Sequence, residues 1–148
     1  MTTWFDALSA IQTILKNDSN ITAIVSANNI IIDIPQFPTD DYNQIILHEP
    51  ILSRSVREAG CNNDVLTFWQ FPIEIIIQGD IQDKDRKLEE LSELQNYLIK
   101  SIITDSVWNA NNDYHQNPDL SRDQKPSSAL LPFAERIIYF ELGIYIRF

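Results

Sequence analysis

Residues 137–148 read IIYFELGIYIRF, and this stretch decides the fold. The odd positions mix polar residues such as Glu141 and Arg147 with apolar ones. The even positions are all apolar: Ile138, Phe140, Leu142, Ile144, Ile146 and Phe148. A period of two is typical of a β-strand that buries one face. Because a chain end frays unless packing holds it, we expect this strand to lie in the centre of the core.

Three further stretches have strand character. Residues 67–78 (TFWQFPIEIIIQ) alternate in the same way and predict a second long strand. Pro72 inside it lacks an N–H donor, so we expect its backbone at a sheet edge or a bulge. Two shorter β-branched runs, 30–34 and 43–49, predict two more strands.

Two stretches repeat with the helical period. Residues 83–104 predict the longer helix, with an apolar stripe formed by Leu88, Leu91, Leu94, Leu98 and Ile102. The chain also begins with a helix that Thr2 or Thr3 can cap, and its stripe is Phe5, Leu8, Ile11 and Leu15. A short helical turn follows, for which Ser19 or Asn20 is the predicted cap.

The order of these elements predicts an α+β fold. Residues 51–66 and 105–132 show no stable period and are predicted to be two long loops. We therefore expect a single domain over residues 1–148, built on one mostly antiparallel four-stranded sheet. The N-terminal helix and the long amphipathic helix would pack on one face of that sheet.

The charge balance excludes some functions. The chain has 11 basic and 21 acidic side chains, a net charge of −10. A nucleic-acid-binding surface needs clustered basic residues, and an anionic membrane repels an acidic protein. The lone Cys61 cannot form an internal disulfide, which fits a reducing compartment. No stretch approaches the roughly 18 apolar residues of a membrane span.

No pattern of residues indicates a catalytic or metal site. Asp80, Asp83 and Asp85 have no calcium-loop spacing, and acids at a helix start complement its dipole. His48 and His115 lack a neighbouring ligand at metal-site spacing and are predicted to be ordinary surface or loop residues. We predict no catalytic residue, cofactor or metal.

Three other residue types have ordinary explanations. Cys61 has no flanking nucleophile signature and is predicted to be an incidental thiol. Glu74 and Glu141 could serve acid–base chemistry, but mid-strand acids are more typical of an outward-facing side of a sheet. Gly143 inside the last strand predicts a bulge or a close backbone approach.

The second face of the predicted sheet is half apolar, which is typical of a subunit contact. The alternative is that the two loops fold back and cover this face. The candidate interface residues are Arg54, Arg57, Phe68, Gln70, Glu74, Tyr139, Glu141, Tyr145 and Arg147.

The element order resembles that of the tail terminator (tail completion) proteins of tailed bacteriophages and the related neck proteins at the head–tail joint. The resemblance lies in four segments: ITAIVSANNIII at 21–32, FWQFPIEIIIQG at 68–79, DKDRKLEELSELQNYLIKSI at 83–102 and ERIIYFELGIYIRF at 135–148. It covers nearly the whole chain and rests on pattern and order.

The resemblance implies a structural virion protein and not an enzyme. Such a protein forms a ring, usually a hexamer, that caps the tail tube, stops its elongation and offers a docking surface for the head. The implied partners are other copies of the chain, the tail tube protein and a neck or head-completion protein. DNA would pass through the lumen without sequence-specific binding, and a negative lumen would let it slide. The implied location is the virion tail or neck, and the host cytoplasm during assembly.

Two alternatives stay open. The chain could be another neck, head-closure or tail-associated structural protein. It could also belong to a different class, a small α+β enzyme or ligand-binding module with a site between the loops. The candidate residues for that site are Trp108, Tyr114, His115 and Arg54.

Overall fold

The computed structural model describes residues 1–32, 43–57, 64–78, 84–125 and 134–147. The helices in these ranges are α1 (Trp4–Asn17), α2 (Ser19–Thr22), α3 (Lys84–Thr104) and α4 (Val107–Ala110). The strands are β1 (Ile30–Ile32), β2 (Gln44–Leu47), β3 (Ile51–Arg57), β4 (Val65–Ile77), β5 (Asp119–Gln124) and β6 (Ala134–Ile146). The predicted α+β class is confirmed, with six strands in the described ranges where the sequence pattern predicted four.

The two long strands form the centre of the sheet. β4 and β6 pair antiparallel over their whole length, from Val65 opposite Ile146 to Ile77 opposite Ala134. The strand order is β1-β2-β4-β6-β5, and β3 pairs with β4 beyond the end of β2. Only the β1–β2 pair among these is parallel, so the predicted mostly antiparallel sheet is confirmed.

One face of the sheet, which we call the helix-covered face, packs against α1 and α3. Both central strands contribute alternate residues to this core: Phe71, Ile73, Ile75, Ile77, Ile138, Phe140, Leu142 and Ile144. All eight are at most 2% exposed, so the face predicted for the last strand is confirmed over these residues. Phe148 lies outside the described residues. We call the opposite side of the sheet the open face.

The helix α1 begins at the predicted cap. Thr3 Oγ1 accepts a hydrogen bond from the Asp6 N–H, and the Asp6 carboxylate accepts one from the Thr3 N–H at 2.8 Å. These reciprocal bonds satisfy two N–H groups that an uncapped helix would leave free. The predicted cap of α2 is wrong, because Asp18 accepts from the N–H groups of Asn20 and Ile21.

Both predicted helix stripes are wrong at their first residue. Phe5 is 53% exposed and Leu88 is 48% exposed, whereas the later members of each stripe are buried. At about 100° per residue, Phe5 lies roughly 120° around the helix from Ile11, although it is only three residues from Leu8. Trp4 lies closer than Phe5 to the centre of the α1 stripe, and Lys87 lies closer than Leu88 to the centre of the α3 stripe. Lys87 is only 5% exposed.

The two stretches predicted as long loops each contain a strand, and this part of the prediction is wrong. Residues 51–66 hold all of β3 and the start of β4, while residues 105–132 hold α4 and β5. The described side chains of β3 and all those of β5 are exposed, so no apolar alternation marks them. Residues 58–63 and 126–133, with Cys61 among them, lie outside the described residues, as do Asp80 and Asp83.

Pro72 lies in the central strand β4, opposite the gap between β2 and β3. The pairing of β2 with β4 ends at Ile73, and the pairing of β3 with β4 begins at Gln70. The Pro72 carbonyl accepts a hydrogen bond from the His48 N–H at 3.0 Å, so the proline nitrogen faces the same side. The N–H group that Pro72 lacks would therefore point into the gap between β2 and β3, where neither strand pairs with β4.

We expect Ile144→Ala to lower the free energy of unfolding by about 2–5 kcal/mol, because Ile144 is 2% exposed within the core. The matched control is Leu120→Ala on the edge strand β5, where the side chain is 43% exposed and the change should stay within about 0.5 kcal/mol. Urea denaturation of both variants measures this. Equal losses for the two would show that the assignment of the buried face is wrong.

Candidate functional site

The open face holds most of the predicted interface residues. Gln70 and Glu141 stand directly opposite each other near the middle of the β4–β6 pair, and both are half-buried. Phe68 stands opposite Gly143, and Arg54 of β3 stands opposite Phe68. Register therefore brings residues that are distant in sequence onto one surface. Position 57 pairs with Val65, one residue along from the Val56–Leu66 pair, so register places it on the other side of the sheet.

Arginines cover two of the predicted interface aromatics. The Arg54 guanidinium lies 4.1 Å from the centroid of the Phe68 ring, and that of Arg122 lies 3.9 Å from the Tyr139 ring. The Tyr139 hydroxyl also donates to Gln124 Oε1 at 3.0 Å. Phe68 is 6% exposed and Tyr139 is 8% exposed. The covering side chains come from β3 and β5, which pair beside β4 and β6 as strands of the same sheet and do not fold back across the face as loops.

His115 closes the end of the open face above Gly143. An ideal Cβ on Gly143 would lie 2.8 Å from the His115 Cβ, so a side chain at this position would require His115 to shift. Gly143 pairs in register with Phe68, so the close approach predicted for this glycine is found without a bulge. The His115 ring meets Phe68 edge-on, and its Nδ1 lies 2.9 Å from the Tyr145 hydroxyl oxygen.

Arg147 joins three parts of the chain. Its Nε donates to Asp113 Oδ1 and its Nη1 to Asp64 Oδ2, both at 3.0 Å, while Nη2 donates to the Asn112 carbonyl at 3.1 Å. The guanidinium also lies 4.7 Å from the Tyr145 ring centroid. The sequence pattern placed Arg147 at a subunit contact, but it did not predict this clamp because the acceptors are distant along the chain.

Asp113 extends the clamp to the N-terminal segment. Its Oδ2 accepts hydrogen bonds from the Thr2 hydroxyl at 2.8 Å and from the Thr2 N–H at 3.3 Å. The hydroxyl bond is the largest influence on the Asp113 pKa and lowers it; partial burial opposes this, and Arg147 lowers the pKa further. The folded protein therefore favours the charged carboxylate.

The other end of the open face carries polar groups in a partly buried setting. His48 Nε2 lies 2.9 Å from Glu74 Oε1. Burial raises the pKa of Glu135, and the charge of Glu74 adds to that effect. Gln44 is only 1% exposed, and its Oε1 has no hydrogen-bond partner among the described residues. This end of the face is therefore neither apolar core nor freely solvated surface.

The structure does not gather the residues proposed for a small-molecule site. Trp108 is 1% exposed and donates from Nε1 to the Ile102 carbonyl at 2.7 Å, so it belongs to the core. Tyr114 packs edge-on against Trp108, and burial is the main cause that raises its pKa to about 12. Arg54 and His115 instead meet at Phe68 on the open face.

Two other features of the described ranges bear on function. A groove of about 960 Å³ lies between α1 and the end of α3, and its lining includes Ser9, Thr13, Asp18, Ser101 and Asp105. The Ser101 hydroxyl donates to Asp18 across it. The described histidine, aspartate and glutamate side chains form no group of three suited to a metal ion. No helix in the same ranges has the length and apolar character to cross a membrane.

Comparison with known proteins shows a likeness in fold and none in sequence family. No protein-family model matches the chain, and no curated protein matches it. A chain in the solved structure titled "Virion of native gene transfer agent (GTA) particle" matches with a TM-score of 0.65 and 10% sequence identity. The match covers 94% of this chain and 94% of that one. At this identity the likeness shows a shared fold.

We expect Gly143→Ala to lower the free energy of unfolding by about 1–3 kcal/mol, because the added methyl group meets the His115 Cβ at 2.8 Å. In a His115→Gly background, where that Cβ is absent, the same change should cost less. Chemical denaturation of the two singles and the double variant gives the coupling. Strict additivity would contradict the close approach.

We expect Asp113→Asn to be less stable than the wild type at pH 7, and the difference to shrink in acid. Because folding lowers the Asp113 pKa from its ordinary value of 3.8, its charge stabilises the fold above that pH. The contribution is lost as the pH falls through the lower folded value. Unfolding free energies from pH 7 down to about 2.5 measure this. Glu89→Gln on the exposed side of α3 is the control.

Proposed function

We propose that this chain is a structural subunit of a tailed-phage-like virion. The observation that carries the proposal is the fold likeness to a chain of a gene transfer agent virion, which extends over 94% of both chains. The segments that resemble tail terminator and neck proteins include both central strands and α3, which are the elements that build the sheet and its helical cover. Two independent comparisons, of sequence pattern and of fold, thus support the same class of protein.

Within that class we propose a tail terminator. Copies of the chain would form a ring, a hexamer in the resembling family, on the end of the tail tube. The ring would stop addition of tube subunits and present its other side to a neck or head-completion protein. Its place would be the virion tail or neck, after assembly in the host cytoplasm.

The charge of the chain supports a role around DNA without binding to it. The net charge is −10, from 21 acidic and 11 basic side chains. Repulsion between such acids and phosphates keeps a passing duplex from adhering to a lumen wall. A protein that gripped DNA would need the opposite balance of charge.

The remaining predicted interface residues of the open face would take part in contacts in the ring together with their partners in the same chain. Gln70, Glu141 and Tyr145 are half-buried, and Arg147 is exposed within its clamp. Phe68 and Tyr139 are covered by arginines of their own chain, so in this proposal they support the contact surface from beneath. Glu74 would contribute through its pair with His48.

We expect the purified protein to form rings, seen as discrete assemblies by light scattering and negative-stain microscopy. Added to growing tail tubes made from the tube protein of the same particle, it should cap them and narrow their length distribution. A heat-denatured sample is the control. A protein that stays monomeric and leaves tube growth unchanged would overturn the proposal.

Loss of the gene separates the terminator from another neck or head-closure protein. A terminator mutant should produce over-long tails, because nothing stops tube growth. A neck-protein mutant should produce tails of normal length that lack heads. Tail lengths in micrographs of lysates, with the complemented mutant as control, decide between these two roles.

A further inference from the structure

Two edge strands of the sheet, β3 and β5, are built alike. Residues 52–54 of β3 and residues 120–122 of β5 both read Leu-Ser-Arg. In each strand, the register with the inner neighbour shifts within that tripeptide. A bulge of this kind bends an edge and leaves one residue unpaired. The two edges therefore share a local geometry, although they lie on opposite sides of the β4–β6 pair.

The arginine of each tripeptide lies over the open face. Arg54 stacks on Phe68, its cross-strand partner, and Arg122 stacks on Tyr139 in the same way. Charged side chains that project from an edge strand normally protect it from pairing with another chain. Because these two are held against aromatic rings, they leave the outer backbone edges accessible.

The outer edges of β3 and β5 are unpaired in the described part of the chain. On β3, three large aliphatic side chains are exposed: Ile51 by 57%, Leu52 by 48% and Val56 by 42%. Every residue of β5 is exposed. An edge that combines free N–H and C=O groups with exposed aliphatic side chains is a template for a further strand.

Strand direction allows the two edges to meet. β3 is antiparallel to β4, β4 to β6, and β6 to β5, so β3 and β5 run antiparallel to each other within one subunit. A rotation about an axis along the strands preserves strand direction. Copies related in this way would bring β3 of one copy beside β5 of the next as an antiparallel pair.

In one register of this β3–β5 pair, each paired residue lies opposite a residue from the same face of the sheet. This register sets the two bulges opposite each other and pairs Ile51 with Gln124, Leu52 with Asp123, Ser55 with Leu120 and Val56 with Asp119. Val56 pairs with Leu66 and Asp119 with Glu141, so the pairings within the chain place both on the open face. Sliding the strands by one residue would set residues of opposite faces against each other.

The charges of the two edges are opposite in sign. β3 carries two arginines, Arg54 and Arg57, and no acid, in a chain whose net charge is −10. β5 carries two acids, Asp119 and Asp123, and one arginine, Arg122, so acids are in excess there. A basic edge and an acidic edge on opposite sides of one subunit favour a second copy of the chain as the occupant.

We propose that β3 of one copy pairs with β5 of the next, so that the sheet continues from subunit to subunit. This inference rests on the proposed ring and identifies its contact. The contact is heterologous, because each copy uses a different edge toward each neighbour, and such contacts close into a ring when the rotation allows.

Disulfide trapping tests the register. In a Cys61→Ser background, Val56→Cys and Asp119→Cys proteins are mixed and oxidised. Cross-strand neighbours lie within reach of a disulfide, so the mixture should give a covalent dimer and neither protein alone should. A single chain with both changes should give a ladder that ends at the ring size. Val56→Cys mixed with Asp123→Cys, which lies on the other face, is the matched control.

Charge exchange tests the same pair without crosslinks. Val56→Asp sets a carboxylate against Asp119 of the next copy and should weaken self-association at least about fivefold, while Val56→Lys should not. Adding Asp119→Lys to Val56→Asp should restore assembly. Ser92→Asp on the exposed side of α3 is the control for an added charge. Melting temperatures confirm that each variant folds.

The outcomes separate the contact from the proposed function. Rings that cap tubes but give no Val56–Asp119 disulfide would overturn the edge contact and leave the terminator role. A disulfide ladder with tubes that keep growing would support the contact and argue against that role. Failure of Asp119→Lys to rescue Val56→Asp, with both proteins folded, would also overturn the contact.

Discussion

The antiparallel pairing of β4 with β6 is the interaction on which the rest of the structure depends. Each strand has 13 residues, and the pair runs in unbroken register from one end to the other. Alternate residues of both strands form the sheet side of the hydrophobic core. β2 and β3 pair with the outer edge of β4, and β5 pairs with the outer edge of β6. Since side chains alternate with a period of two, a slip of one residue would exchange the two faces and expose the core.

The open face shows how a half-apolar surface is satisfied inside one subunit. Its aromatic residues Phe68 and Tyr139 are covered by guanidinium groups from the edge strands. A cation over a desolvated ring contributes on the order of 1 kcal/mol, and it removes apolar area from solvent at the same time. This cover keeps the aromatic rings inside the subunit, so the open face presents polar residues such as Gln70 and Glu141.

A second set of polar contacts connects segments that are far apart in the chain. Asp113 receives hydrogen bonds from Thr2 and from Arg147, so the segment before α1 and the residue after β6 meet at one carboxylate. Arg147 also reaches Asp64, the residue before β4. Because these pairs are partly solvated, each contributes modestly to the stability of the fold.

The sequence by itself determined the elements that bury a regular stripe. The alternation in 67–78 and 137–148 predicted both central strands and their buried faces, and the helical period predicted α1 and α3. Only the tertiary structure decided β3, β5 and the arginine cover. An exposed edge strand buries neither face, so burial imposes no pattern on its residues. Sheet register places each guanidinium over its aromatic ring, because register brings residues from distant parts of the chain together.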